Sequence, residues 1–321
     1  MDTRHLVDPD LLPVLDAFPT VALSDELLGP MREAERFAQL PVQVDAAVTE
    51  AIEQSVRSAP GPVGAPDIAL TIYKPRGGQA ALPCIYHIHG GGYVGGAAAQ
   101  LEPLHRPLAH QLNCIIVSVD YRLAPEHRFP AAIEDCYAGL AWTFANAVAL
   151  GVDATRIGVM GESAGGGLAA ALALLARDRG QYRLAFQHLI YPMLDDRTCV
   201  MAKPNPVAGE FIWTRHNNAY GWRALLGKPP GAGDVSPYAA AARATDLADL
   251  PPAFIACPTL DLFIDEDIDY AARLNRAGVP VELHVYSGGF HGFDIFGGAA
   301  PLSLRAQRDS VAALRRALHG A

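Results

Sequence analysis

The sequence predicts an α/β fold: a mostly parallel sheet with helices on both faces. Three observations carry this reading. Short apolar runs of β type recur at 84–89, 114–119, 156–160, 186–190, 253–256 and 281–286. Helical patterns fall between or after them, near 131–147, 164–179, 267–277 and 301–319. The runs are nearly continuous in apolar residues, as strands covered on both faces require, whereas a strand with one wet face would alternate.

The remaining segments are placed in chain order. Residues 1–45 read as helical and loosely amphipathic, interrupted by Pro30 and Pro41, with apolar positions at Leu11, Leu15, Phe18, Leu27 and Phe37. Two further strands are expected at 48–57 and 68–73, joined through Ala59-Pro60-Gly61-Pro62. Residues 197–235 break the alternation. They hold Phe211, Trp213, Tyr220, Trp222 and several prolines, with helical spacing near 212–226. That is too long for a simple loop, so a helical insertion is expected, forming a cap that the N-terminal helices complete. The expected division is 1–45 and 197–235 for the cap, and 46–196 and 236–321 for the core.

Composition narrows the functional class. Half of the 321 residues are apolar and 18% are charged, enough apolar material for a large core. A net charge of −9 repels phosphate backbones and anionic lipid, which argues against nucleic acid and membrane partners. The five cysteines, at 84, 114, 136, 199 and 257, include no C-x-x-C pair. They read as reduced, buried thiols. The longest small-apolar run is at 168–176, well short of the roughly 20 residues a membrane span needs. No basic segment followed by an apolar stretch marks the start. The expectation is a cytoplasmic protein with no membrane span. The histidines show no metal-ligand spacing, so neither metal nor cofactor is expected.

Three motifs carry chemistry. Gly161-Glu162-Ser163-Ala164-Gly165 lies between a strand and a helix. A serine on so sharp a turn is a nucleophile presented above the sheet, and the residues two away on either side must be small. The helix start behind it adds free N–H groups and a positive dipole end. His89-Gly90-Gly91-Gly92 follows the strand at 84–89. Its glycines let backbone N–H groups converge on one point, as the oxyanion of an acyl-transfer intermediate requires. Asp261 and His291 each follow the end of a later strand, and nucleophile, acid, histidine is the chain order such a sheet uses. Asp265 is a minor rival to Asp261.

Together these residues resemble the hormone-sensitive lipase family of bacterial esterases, over about 65–295. His89-Gly90-Gly91-Gly92-Tyr93 matches its glycine motif, and Asp120-Tyr121-Arg122-Leu123-Ala124-Pro125-Glu126, followed by Phe129-Pro130-Ala131-Ala132, matches its most specific segment. Tyr191-Pro192-Met193-Leu194-Asp195, Ser236-Pro237 and His291-Gly292-Phe293 match as well. The resemblance implies an α/β-hydrolase fold with an eight-stranded sheet and a helical cap. It implies a triad of Ser163, Asp261 and His291, and an oxyanion hole from the N–H groups of Gly91, Gly92 and Ala164. It also implies cofactor-free hydrolysis of short-chain acyl esters, and homodimers are common in the family.

Three departures stand out. Glu162 replaces a usual Asp or Thr, Leu262 replaces a usual Pro after the acid, and 197–235 matches poorly. Phe211 and Trp213 in that last region are candidate substrate contacts. An acyltransferase or peptidase on the same fold is the alternative enzyme. A non-catalytic small-molecule receptor is the alternative class, disfavoured because such proteins usually lose the histidine.

Overall fold

The computed structural model describes residues 3–18, 21–37, 42–77 and 81–320, except the side chains of 35–37. Pro41 and the Phe37 side chain therefore lie outside the described residues. Among the described residues, eight strands form one sheet: β1 (Ile52–Ala59), β2 (Ile68–Pro75), β3 (Leu82–Ile88), β4 (Ile115–Asp120), β5 (Val152–Glu162), β6 (Gln187–Ile190), β7 (Ala253–Pro258) and β8 (Val281–Tyr286). Their order is β1-β2-β4-β3-β5-β6-β7-β8. Only the β1–β2 and β2–β4 pairs are antiparallel, and the other five run parallel.

The helices are α1 (Leu12–Ala17), α2 (Asp25–Phe37), α3 (Ala46–Ala51), α4 (Glu102–Leu112), α5 (Ala131–Ala145), α6 (Ala147–Leu150), α7 (Ala164–Arg179), α8 (Arg215–Leu226), α9 (Ile264–Arg276), α10 (Phe293–Phe296) and α11 (Pro301–His319). Alternate strand residues serve opposite faces of the sheet. Tyr86, Ile88 and Val117 pack with Leu140 of α5, Leu172 of α7 and Leu274 of α9. Ile85 and Ile116, one residue out of phase, pack with Leu112 of α4 and Leu314 of α11. Helix α7 is buried continuously from Ala164 to Ala176, which explains why its sequence is apolar all round.

Three local expectations are corrected. Residues 48–51 belong to helix α3 rather than to a strand, because the Asp45 carboxylate accepts the Ala47 N–H at 2.8 Å and caps a short helix. Pro30 lies inside α2 instead of ending it. It is exposed, so its missing backbone bond falls on the solvent side. Helix α4 was not expected, because Pro103 and Pro107 interrupt a pattern that Leu104, Leu108 and Leu112 otherwise keep.

The N-terminal segment docks on α8. Asn217 of α8 accepts the Leu23 N–H at 2.9 Å and donates to the Val21 carbonyl at 2.9 Å. The Tyr220 hydroxyl donates to Asp25 at 3.0 Å. Among the described residues, no helix is long and apolar enough to cross a membrane.

Candidate active site

The carboxyl ends of β3, β5, β7 and β8 lie on one edge of the sheet, where ligand sites of such folds collect. The loops leaving them carry the three sequence motifs. After β5, Ser163 sits at φ 57° and ψ −122°, a backbone conformation that costs of order 1–3 kcal/mol and persists only when the surroundings enforce it. They do so here. The Ser163 N–H donates to the Ile190 carbonyl at 2.9 Å, and the Ser163 carbonyl accepts from Met193 at 2.9 Å and Gly167 at 3.0 Å. A Cβ on Gly161 would come within 2.3 Å of the Gly165 carbonyl oxygen, and one on Gly165 within 2.1 Å of that of Ile88. No side chain fits at either position. The N–H of Ala164, first residue of α7, has no acceptor within the helix.

After β3, Gly91 and Gly92 take positive φ values of 116° and 60°. Trp213 closes over this loop: a Cβ on Gly92 would meet its ring at 2.1 Å. The Asp120–Glu126 segment holds the loop in shape, which accounts for a motif that triad chemistry alone does not demand. Asp120 accepts the Ala98 N–H at 2.7 Å. The Tyr121 hydroxyl donates to the His89 carbonyl at 2.9 Å, with the two rings stacked at 4.3 Å. The Ala124 N–H donates to the Tyr93 carbonyl at 3.0 Å. Arg32 of α2 then joins the segment to the N-terminus, reaching Glu126 at 2.8 Å and the Val94 carbonyl at 2.6 Å.

After β7 and β8, Asp261 and His291 meet. Imidazole Nδ1 lies 2.7 Å from Asp261 Oδ2, and Asp261 Oδ1 accepts the Phe263 N–H at 3.0 Å. Asp261 is 1% exposed and His291 8%. The three acids nearby are engaged differently. Asp265 is exposed and accepts from Asn205 at 3.2 Å. Asp267, in the first turn of α9, is fully buried, and neither carboxyl oxygen has a partner among the described residues. Burial first, then the Glu266 and Asp261 charges, hold it well above the ordinary carboxylate range. Asp294 accepts the Tyr191 hydroxyl at 2.8 Å.

Ser163 and His291 line one cavity of about 480 Å³ with Gly91, Gly92 and Trp213. Phe18 from the N-terminal segment and Phe296 of α10 form further walls, their rings 4.7 Å apart. Of the two aromatic candidates in the insertion, Trp213 reaches the cavity. Phe211 packs against Phe290 at 6.4 Å, and its neighbour Ile212 takes its place in the lining. Tyr191, quoted above only as part of a motif, also lines the cavity, with its ring 4.8 Å from that of His291. Sequence offered no sign of Ile212 or Ile295 there, because the faces that an irregular segment and the short helix α10 present are set by tertiary packing.

Glu162, the unusual neighbour of Ser163, turns toward the sheet. Its carboxylate lies 2.9 Å from His87 Nε2, and His87 Nδ1 lies 3.0 Å from the Ser118 hydroxyl. Glu162 also acts on Asp294. Burial raises the Asp294 carboxyl to about 6; the Tyr191 hydroxyl opposes the rise and the Glu162 charge adds to it. Ionising a carboxyl whose folded value is raised costs stability. The cost is absent below about pH 4, grows toward pH 6 and is complete above it. Asp294→Asn, which keeps an acceptor for Tyr191, is therefore expected to unfold at a higher temperature than wild type at pH 8. The gain is on the order of 1–2 kcal/mol after allowance for partial exposure, and it disappears near pH 4. Thermal denaturation at both pH values checks this; an equal difference at both would exclude the titration as its cause.

A mostly parallel eight-stranded sheet with a strained serine between β5 and α7 defines an α/β-hydrolase. The sequence pattern of the alpha/beta hydrolase fold matches residues 85–295. Esterase LipI of Mycobacterium tuberculosis is 36% identical, covering 99% of this chain and 98% of its own length. Carboxylesterase NlhH of the same species is 36% identical over 98% of each. Among solved structures, a bacterial heroin esterase superposes with a TM-score of 0.88 at 37% identity over 99% of both chains. A hyperthermophilic esterase from Pyrobaculum calidifontis gives 0.81 at 33%, over 96% of this chain and 98% of its own. The chain belongs to the hormone-sensitive lipase family of esterases and is a carboxylic ester hydrolase.

Proposed function

We propose that the chain hydrolyses short-chain acyl esters through an acyl-enzyme on Ser163, with His291 as general base and Asp261 as the group that orients it. The reading is supported above all by one observation: the buried Asp261–His291 bond of 2.7 Å stands at the same apolar cavity as the strained Ser163. Ser163 Oγ attacks the ester carbonyl as His291 Nε2 takes its proton. The carbonyl oxygen becomes an anion facing the N–H groups of Gly91, Gly92 and Ala164, where removal of one such donor typically costs about 10²–10³ in rate. His291 returns the proton to the leaving alkoxide. Water, deprotonated in the same way, releases the acid and restores Ser163. His291 must be neutral to act as the base, so the rate falls in acid. Five buried, unpaired cysteines suit a reducing compartment and support a cytoplasmic location. A chain-length series of acyl esters tests the reading, with the highest kcat/KM expected at the short end.

Residues 1–45 and 197–235 act together as a cap in this proposal, since Phe18 and Trp213 come from the two parts and line one cavity. Removing residues 1–45 is expected to alter acyl-length preference and to lower kcat/KM on a butanoyl ester by about 10- to 100-fold, the worth of one aromatic wall covering the substrate. Phe18→Ala in the full chain should reproduce much of the loss. Unchanged selectivity in both variants would reduce the N-terminus to a cover for the core.

A further inference from the structure

Behind Glu162 lies a second cavity of about 490 Å³. It shares Leu101, Glu162 and Ile295 with the cavity at Ser163, so these three side chains form the partition between them. The second cavity runs between α4 and α11. Leu104 and Leu108 line it from α4, Val311 from α11, and Met160 and Ile190 from the sheet. Several polar groups along it already have partners. Glu162 faces His87, Gln307 donates to the Asp294 carbonyl at 2.7 Å, and Ser310 lies 2.8 Å from His188 Nε2. At its far end a surface groove shares Gln111, Gln307 and Val311 with it and carries Leu304, 44% exposed. His105 Nδ1, also in the lining of the second cavity, has no partner among the described residues. A mostly apolar surface thus continues from the cavity at Ser163 to the outside between two helices.

We propose that this second cavity is an arm of the substrate site that receives an unbranched alkyl chain too long for the cavity at Ser163. The inference rests on the hydrolase reading above and extends it. Leu101 and Ile295 in the partition have no side-chain hydrogen-bonding groups, so a rotamer change at either opens the way without breaking a polar contact. The chemistry recognised is a hydrocarbon chain, which either end of an ester can supply. The arm therefore extends activity beyond the short-chain optimum, toward esters of eight to ten carbons.

The test places a plug in the arm away from the reacting atoms. Leu104 lines only the second cavity, and Leu104→Trp fills it from α4; Val311→Phe fills it from the opposite wall. Each variant and the wild type are measured on p-nitrophenyl alkanoates, with the chain on the acyl side, and on n-alkyl acetates, with the chain on the alcohol side. Each methylene removed from water contributes about fourfold to kcat/KM. A plug should therefore lower the decyl-to-butyl ratio by about 10- to 100-fold in one of the two series, while turnover of the butyl member stays within about twofold. The series that responds tells which end of the ester enters the arm. Ratios unchanged in both series, with butyl turnover intact, would overturn the proposal while leaving the hydrolase reading in place. Equal losses on short and long esters would also overturn it. A wild type inactive on the butanoyl ester would remove the hydrolase reading and the arm together.

Discussion

Ser163→Ala is expected to lower kcat on a butanoyl ester by on the order of 10⁶-fold, because triad members act as a unit and loss of the nucleophile removes the covalent route. What remains is the slow background that oxyanion donors and substrate binding support with water as nucleophile. The fold should survive. The elbow is held by backbone bonds from Ser163 to Ile190, Gly167 and Met193, none of which needs the hydroxyl, and alanine keeps the same positive φ. An unchanged melting temperature with activity lost is the expected pair of results. Wild-type-like turnover would take Ser163 out of the reaction.

Asp261→Asn is expected to cost about 10⁴ in turnover, with little change in structure. In the folded chain Asp261 uses both oxygens as acceptors, one for the Phe263 N–H and one at His291 Nδ1. An amide supplies one acceptor and one donor. With the Phe263 bond kept, the Asn NH₂ faces Nδ1 and demands the tautomer that places the proton on Nε2, where the nucleophile's proton has to go. Asp265→Asn should leave the rate within about twofold, since Asp265 is exposed and, among the described residues, accepts from Asn205. Turnover of the two variants on one short ester decides between the carboxylates. Collapse in Asp265→Asn with activity kept in Asp261→Asn would reverse the assignment.

Much of the site was legible in the sequence because it depends on steric requirements that few residues satisfy. Gly161 and Gly165 have no room for a Cβ, and the order of serine, acid and histidine follows from strands that end on one edge. The sheet was legible because strands such as β3 and β7, buried along their whole length, are almost entirely apolar. What was missed depends on tertiary context. Helix α4 was hidden by two prolines, although Leu112 and Ala109 bury its inner face. Asp267 reads as an ordinary acid at a helix start, and only packing shows that it is fully buried. Likewise, nothing in Phe211-Ile212-Trp213 says which two of the three face the cavity. That follows from a backbone at which Ile212 takes φ 59°, directing its neighbours to different sides.

The most direct test of the central claim, an acyl-enzyme on Ser163, is to trap it. The wild-type chain is mixed with excess p-nitrophenyl acetate, quenched in acid within the first turnovers, digested, and the peptide spanning 161–165 weighed. An acetyl group on that peptide, absent from the Ser163→Ala protein, is the expected result. Acetate on a different peptide, or full turnover with every peptide of the quenched chain unmodified, would contradict it.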